Sequence, residues 1–435
     1  MEWYFVLIIF FAMLLVFFAT GMPVAFAFAL LNIVGLAWWV DGTKGWLLLP
    51  ASAYRSVASF NLIAVPMFFL MGEVLFQSRV IELTIDVLDR WVGKIRARLL
   101  FVALGAGTAL ATLSGAGMAD TALIGATLHP EMEKRGYDRR LSLGTIMSAG
   151  LLAAIIPPSA LAVLLGSLAE VSIAALLVGG LIPGLVMSTI YAIYIYTRVR
   201  LNPSLAPEYA AEGVTWKFRL IGLVQISPLA VIVLMVMGFI IFGVTTPSEA
   251  AATGAIGAFI VAAIYRRLSF SVTRRALMGT LYIAGMVFLI ITGATALGQL
   301  LSLTGATREF LRVLTELPVS DVVLLIIIQL AVMLLGFFID QLSIMLVAIP
   351  ILIPIVNGLG FDPVWFWVIF LMNISVAAIT PPFGLVLFAL KGVVPKATMT
   401  DLYRASLPFI ALDIVAIGFV IAFPGIATWL PSKIA

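Results

Sequence analysis

Long apolar runs recur from one end of the sequence to the other, and they limit the possible folds more than any other feature. Hydrophobic residues make up 63% of the 435 residues, whereas charged residues make up 11%, less than half of what a soluble domain carries. The pattern therefore predicts an all-α polytopic membrane protein. No polar stretch is long enough for a separate catalytic domain, and a chain without cysteine has no thiolate chemistry.

The basic residues predict the topology of the chain. Most of the 25 Lys and Arg residues fall in five short segments, namely 79–98, 134–140, 198–219, 266–275 and 391–404. Basic loops stay in the cytoplasm, which places the N-terminus outside the cell membrane and explains the positive charge without a nucleic-acid partner. The predicted spans are 4–20, 24–40, 58–77, 143–167, 172–197, 220–242, 248–265, 277–301, 363–390 and 405–430.

Two further apolar stretches, 99–129 and 322–356, do not fit as spans. Each has a polar or glycine-rich centre, and each arm of about 14 residues reaches only about 21 Å into a hydrocarbon core of about 30 Å. We expect two re-entrant hairpins, the first entering from the cytoplasm and the second from outside. Non-helical backbone at that depth needs hydrogen-bond partners from protein or from a water-filled cavity. Both tips are therefore candidate binding sites.

The sequence also repeats itself at an offset of 224 residues. The matched pairs are Pro23 with Pro247, Pro130 with Pro354, Gly136-Tyr137-Asp138 with Gly360-Phe361-Asp362, and Pro157-Pro158 with Pro381-Pro382. This predicts two repeats, 1–212 and 213–435, each with five spans, one hairpin and one broken helix. An odd number of spans inverts the second repeat relative to the first, which is an organisation typical of secondary transporters.

The two proline pairs predict helix breaks at 157–158 and 381–382. Proline has no backbone N–H and clashes with the preceding turn, so carbonyl oxygens are left free. Such oxygens inside a membrane must meet water, a side chain or a cation. The prolines could simply kink two helices, with Ser and Thr hydroxyls meeting the carbonyls, but two symmetric pairs that each match a hairpin favour a cation site.

Ionisable residues near the hairpin tips are further candidates. Asp120 and Asp340 could each neutralise a cation or take part in coupling, or could cap the returning helix of the hairpin. The single His129 cannot build a metal centre by itself, and the sequence has no nucleotide-binding or hydrolase motif. We therefore expect no enzymatic activity, no organic cofactor and no transition metal.

Several motifs together resemble the large membrane subunit of tripartite ATP-independent periplasmic (TRAP) transporters. They are Gly21-Met22-Pro23, Pro66-Met67-Phe68-Phe69, Ser114-Gly115-Ala116-Gly117, Arg135-Gly136-Tyr137-Asp138, Ile156-Pro157-Pro158-Ser159 and Thr380-Pro381-Pro382-Phe383-Gly384. The resemblance implies a bacterial or archaeal inner-membrane importer of organic anions such as carboxylates, driven by sodium symport through an elevator motion. It also implies two partners, a small four-span membrane subunit and a periplasmic substrate-binding protein.

The resemblance also implies two sodium sites, each between a hairpin tip and a broken helix. The first would comprise Ser114, Gly115, Gly117, Pro157 and Ser159; the second would comprise Asp340, Gln341, Ser343, Thr380, Pro381 and Gly384. Where members of the family often carry an acid before the second proline pair, this chain has Asn373-Ile374-Ser375. Asn373 and Ser375, with Asp120, are therefore the candidates for substrate binding or coupling.

Other functions remain open from the sequence. The nearest alternative is a single-component carboxylate symporter or antiporter of the same fold, coupled to sodium or protons. A membrane-embedded enzyme and a channel are alternatives from other classes.

Overall fold

The computed structural model describes residues 3–39, 43–93, 95–114, 117–207 and 216–434, without the side chains of residues 43–48 and of Ser114. In this part of the chain every regular element is a helix. The helices of the first half are α1 (Trp3–Ala19), α2 (Val24–Trp39), α3 (Thr43–Val57), α4 (Ala64–Gln77), α5 (Glu82–Val92), α6 (Arg98–Ser114), α7 (Gly117–Lys134), α8 (Arg139–Leu151), α9 (Ala160–Leu168) and α10 (Ile173–Leu201). Those of the second half are α11 (Trp216–Ile241), α12 (Pro247–Ile264), α13 (Phe270–Leu303), α14 (Ala306–Glu316), α15 (Asp321–Leu335), α16 (Gln341–Leu359), α17 (Pro363–Ala377), α18 (Leu385–Val393), α19 (Met399–Ala422) and α20 (Gly425–Thr428).

The long apolar helices confirm a polytopic membrane protein. Among the described residues, seven helices are long and apolar enough to cross a bilayer. Six of them coincide with predicted spans: α4 with the turn before it, α10, α11, α12, α13 and α19. Helices α1 and α2 lie at the first two predicted spans with 17 and 16 residues. Helix α3 was not predicted, because polar residues and Pro50 interrupt its apolar pattern.

Both predicted proline breaks are present. The predicted span 143–167 is divided into α8 and α9 by an unwound segment at 155–159, and the predicted span 363–390 is divided into α17 and α18 at 378–384. The Pro157-Pro158 and Pro381-Pro382 peptide bonds are both cis. Each proline pair lies inside its unwound segment, where the missing N–H groups remove helical hydrogen bonds.

The predicted hairpins correspond to the helix pairs α6 with α7 and α15 with α16. Their breaks lie at 115–116, outside the described residues, and at 336–340. Helix α7 continues through Pro130 to Lys134, past residue 129 where the predicted hairpin ends. An ion pair of 2.5 Å between Arg135 and Glu131 supports this last turn. Whether the hairpins re-enter the membrane on the same side stays a prediction.

The repeated Gly-aromatic-Asp motif ends one helix and starts the next. Gly136 has a φ of 75°, a left-handed conformation that glycine adopts without strain, and the Tyr137 N–H donates to Met132 O at 3.0 Å in the bond pattern of a Schellman helix end. The Asp138 carboxylate then accepts from Leu141 N at 2.8 Å and caps α8.

The second half repeats this arrangement. Gly360 has a φ of 70°, Phe361 N donates to Val356 O at 3.2 Å, and Asp362 caps α17 through Trp365 N at 2.9 Å. The short helices α5 and α14 also begin and end 224 residues apart. The order of elements thus repeats along the chain, and the inversion of one repeat relative to the other stays a prediction.

Helices from the two halves pack together in two groups. Helix α4 packs on α12 and α13, and α13 also packs on α2 and α3; we call this the scaffold group. Helix α8 packs on α6, α7 and α19, while α10 packs on α9, α17 and α19; we call this the broken-helix group. The approach within the second group is close: a methyl group at Gly144 would lie 2.6 Å from Ala405 O. The broken helices are thus held among neighbours from both halves.

Candidate cation sites at two broken helices

The first unwound segment, 155–159, exposes several carbonyl oxygens inside the protein. All five of its residues are buried. In the described chain, no backbone N–H donates to the carbonyls of residues 155–158. A buried carbonyl without a donor costs free energy unless another group meets it. A row of such oxygens is a suitable ligand set for a hard cation.

Ser159 closes this segment and starts α9. Its fully buried hydroxyl donates to Ala154 O at 2.8 Å and lies 3.3 Å from Ala162 N, which it caps. At Ala154 the alternative interpretation therefore applies, because the Ser159 hydroxyl donates a hydrogen bond to the carbonyl freed by the break. The Ser159 oxygen keeps acceptor capacity, because a hydroxyl has two lone pairs.

The first hairpin tip lies directly against the end of α8, next to the break. A methyl group at Gly117, the first residue of α7, would lie only 2.5 Å from Gly150 O. The Thr121 hydroxyl donates to Gly117 O at 2.8 Å and braces this turn. The structure thus places Gly117 of the predicted site against Gly150, with such a methyl group 3.8 Å from Ala153 Cβ, in the segment that leads into Pro157 and Ser159. Gly115 and the Ser114 side chain lie outside the described residues.

Asp120 is fully buried in the first turn of α7. Both interpretations of this carboxylate, as a cap and as a coupling group, remain open.

The second unwound segment, 378–384, satisfies more of its own backbone. Gly384 N donates to Thr380 O at 3.0 Å, and Val386 N donates to Ala378 O at 3.0 Å. The Thr380 hydroxyl, which is buried, donates to Val376 O at 2.7 Å. Gly384 is required here, because a methyl group at that position would lie 2.6 Å from Ala378 O. Within the described residues, no backbone N–H donates to the carbonyl of Pro381.

Asp340 starts α16 as an N-cap. Its carboxylate accepts from Leu342 N at 3.0 Å and from Ser343 N at 3.2 Å, and it also accepts from the Ser343 hydroxyl. The capping interpretation is therefore confirmed, and ligation of a cation by Asp340 stays a prediction. Gln341 is the first residue of α16. The preceding Gly336 touches the end of α17, where a methyl group would lie 2.5 Å from Ala377 Cβ, so this tip also lies beside its break.

Asn373 takes part in a buried amide pair that the sequence pattern missed. Its side-chain N donates to Gln329 O at 2.6 Å and to Gln329 Oε1 at 2.9 Å, which joins α17 to α15. Gln329 Nε2 is buried without an acceptor among the described residues. Ser375, one turn before the break, donates to Leu371 O at 2.8 Å. The sequence feature that could have indicated Gln329 is its position as a single amide in the otherwise apolar stretch 322–335.

Asp413, to which the sequence assigned no role, joins two helices of the broken-helix group. It is fully buried in α19 and accepts a hydrogen bond from the fully buried Tyr191 hydroxyl of α10. Its second oxygen has no partner among the described residues.

A polar cavity of about 780 Å³ lies between the scaffold group and the broken-helix group. Arg55 and Asn61 line it from α3 and from the turn before α4, and Thr295 and Gln299 line it from α13. Glu170 lines it from the loop between α9 and α10. None of the described residues of the two predicted sodium sites lines this cavity.

These features define a polytopic membrane transporter. The fold is similar to a crystal structure of the YdaH transporter of Alcanivorax borkumensis, with a TM-score of 0.65 and 17% identity over 89% of this chain and 90% of that one. The family model described as the tripartite ATP-independent periplasmic transporter, DctM component, matches residues 11–426. The chain belongs to this family, as a large permease subunit of a TRAP transporter and not an enzyme.

Individual relatives agree with this family assignment. A putative TRAP transporter large permease protein of Haemophilus influenzae is 32% identical over 94% of this chain and 95% of its own length. The 2,3-diketo-L-gulonate TRAP transporter large permease protein YiaN of Escherichia coli is 30% identical over 90% of this chain and 91% of its own length.

Proposed function

We propose that this permease carries a small organic anion into the bacterial or archaeal cell together with Na⁺. In this proposal it assembles with a small four-span membrane subunit in the inner membrane, and its N-terminus faces the periplasm. A periplasmic binding protein delivers the anion. The observation that carries the proposal is the row of buried carbonyls at 155–158 beside the first hairpin tip.

The oxygens at the two breaks support a hard cation. Carbonyl and hydroxyl oxygens dominate both sites, and at the first site the close packing of Gly117 on Gly150 positions the tip beside the break. Among the possible hard cations, Na⁺ follows from the family resemblance. Binding of the cation would hold the tip against the broken helix and would offset the charge of the anion, so that the two cross together in an elevator motion.

The polar cavity supports an organic anion as the solute. Arg55 brings a guanidinium group to it beside the single carboxylate of Glu170, and Thr295 and Gln299 add polar groups that can bond to carboxylate or hydroxyl oxygens. The cavity lies between the two helix groups, which is where an elevator motion would load and release a solute. The name of the Escherichia coli relative, which specifies a sugar acid, agrees with this class of solute.

Sodium binding can be tested on the purified protein by thermal unfolding. We expect a saturable rise in midpoint with Na⁺ but not with K⁺ at constant ionic strength, since a ligand at 100 times its Kd stabilises the native state by about 2.7 kcal/mol. Ser159→Ala should lose most of this Na⁺-specific rise. The matched control is Ser406→Ala in α19, which removes an equally buried hydroxyl that donates to Tyr403 O at 3.0 Å.

Two results would contradict the proposal. Identical unfolding midpoints in Na⁺ and K⁺ would rule out sodium coupling. An equal loss of the Na⁺-specific rise in both serine variants would rule out the first site. Proteoliposomes that hold this chain alone should take up no carboxylate or sulfonate from a panel under a Na⁺ gradient. Uptake without the binding protein would favour the single-component alternative.

A further inference from the structure

A second polar cavity, of about 220 Å³, lies at the far end of α8 from the break. It is formed where the start of α8, the end of α10 and the start of α19 meet. Arg140, Arg198 and Arg404 line it, one from each helix, together with Asp138 and Tyr194. Because α8 has 13 residues, this cavity is about 20 Å along the helix from the unwound segment, and it shares no residue with the cation sites.

The three arginines of this cavity bring more positive charge than the neighbouring acids neutralise. Within the described part of the chain, no hydrogen bond or ion pair engages the guanidinium groups of Arg140, Arg198 or Arg404. Asp138 is the one acid that lines the cavity, and one of its oxygens is used to cap α8. The next acid, Asp401, lies within electrostatic range of Arg140.

Asp401 is already engaged by other groups. It lies 3.6 Å from Arg139 in an ion pair and accepts from Thr398 N at 3.0 Å. Three exposed arginines therefore line one cavity that has a single lining carboxylate, so the lining carries a net positive charge that an anion would balance.

The chemistry of the lining selects the kind of anion. Guanidinium groups bind phosphate and carboxylate oxygens with parallel N–H bonds, and several arginines around one cavity fit the multiple oxygens of a phosphate. Tyr194 lies close enough to Arg198 and Asp138 to interact electrostatically with both, and its hydroxyl can donate one further bond. A phosphate group is the best match to this donor set.

We propose that this cavity, which we call the three-arginine cavity, binds the phosphate headgroup of an anionic phospholipid. The residues beside it favour a lipid over a soluble phosphate. Ile193 on α10 is 57% exposed and Leu407 on α19 is 58% exposed, and apolar side chains open to the surroundings beside a basic cavity offer contact to acyl chains. By the predicted topology the cavity faces the cytoplasmic leaflet, whose anionic headgroups are attracted to basic pockets between membrane helices.

Such a lipid would join three helices of the broken-helix group. Helix α8 leads directly into the first break, and α10 and α19 pack against it and each other. A phosphate bridging Arg140, Arg198 and Arg404 would hold these helix ends together without touching the cation sites. The proposal is independent of sodium coupling, because it concerns binding at a different end of α8.

Native mass spectrometry of delipidated protein tests this proposal directly. Phosphatidylglycerol should bind more tightly than phosphatidylcholine of the same acyl chains. The double variant Arg198→Gln with Arg404→Gln should bind phosphatidylglycerol at least about tenfold more weakly, since each charge-assisted contact is worth a factor of that order. Arg200→Gln is the matched control: it removes an exposed arginine of the same helix, whose Nη1 donates to the Tyr196 hydroxyl at 2.8 Å, and should leave binding unchanged.

The other outcomes each overturn a stated part of the proposal. Equal binding of the two lipids, or an equal loss in the control and the double variant, would remove the three-arginine cavity as a lipid site. A saturable thermal stabilisation by inorganic phosphate that the double variant loses, without selective binding of phosphatidylglycerol, would make a soluble phosphate the ligand and exclude the lipid. The single variants Arg198→Gln and Arg404→Gln, both at exposed positions, serve if the double variant does not fold.

Discussion

The contact between the first hairpin tip and α8 leaves no room for a methyl group, so Gly150→Ala should disrupt the first cation site. The added methyl would overlap the Thr121 hydroxyl oxygen and would lie 2.7 Å from Gly117 O, whereas ordinary contacts begin at 3.4 Å. Rotation of Thr121 could relieve the first contact but not the second, because Gly117 O is a backbone atom. The start of α7 must therefore move away from α8 by roughly 0.7 Å or more.

This displacement has two expected consequences. Overpacking of this kind costs about 1–3 kcal/mol of the free energy of unfolding, so the thermal midpoint should fall by several degrees. A binding site loses affinity when its ligands move by about 1 Å, so the Na⁺-specific rise in the midpoint should shrink or disappear as well. Both quantities come from one assay, intrinsic tryptophan fluorescence during heating in Na⁺ or K⁺.

Gly285→Ala is the matched control for this experiment. Gly285 lies inside α13, and a methyl group there would meet nothing within 4 Å. Since alanine is the better helix former by about 1 kcal/mol, this variant should be neutral or slightly more stable and should keep its sodium response. A Gly150→Ala protein with an unchanged midpoint and an unchanged sodium response would refute the close contact between tip and helix.

Two further substitutions test buried polar pairs within the membrane. Tyr191→Phe should lower the free energy of unfolding by about 1–3 kcal/mol, because it removes the hydrogen bond to the buried Asp413 carboxyl group and leaves that group without the donor; an unchanged thermal midpoint would contradict this role. Asn373→Leu should lower the free energy of unfolding by a similar amount, because it leaves the Gln329 side chain without its hydrogen-bond donor. Adding Gln329→Leu should recover part of this loss. If the loss in the double variant equals the sum of the two single losses, the amides do not act as a pair.

The main breaks in the fold were predictable from sequence because proline acts locally. At Pro157-Pro158 and at Pro381-Pro382 two consecutive residues lack the backbone N–H, which removes two successive helical hydrogen bonds, and both unwound segments lie where they were expected. A single proline does not have this effect in α7. Pro130 is also a proline, but α7 continues past it and ends at the Gly136 turn.

The candidate site was predictable in its location more than in its contacts. Each hairpin tip touches the helix that leads into the matching break, as Gly117 on Gly150 and Gly336 on Ala377 show. The capping role of Asp340 could be anticipated, because an acid before a helix is a local signal. The partner of Asn373 could not be, because Gln329 lies 44 residues away and only tertiary packing brings the two amides together.

The sequence by itself determined that this chain spans a membrane, that its elements repeat, where its helices break and which family it belongs to. These properties depend on composition, local backbone chemistry and the order of motifs, all of which are visible in the linear sequence. Only the tertiary structure decided which carbonyls are left without donors, where the polar cavity lies, and that three arginines from distant segments line one cavity. Such features depend on distances between residues far apart in the chain, and packing alone sets those distances.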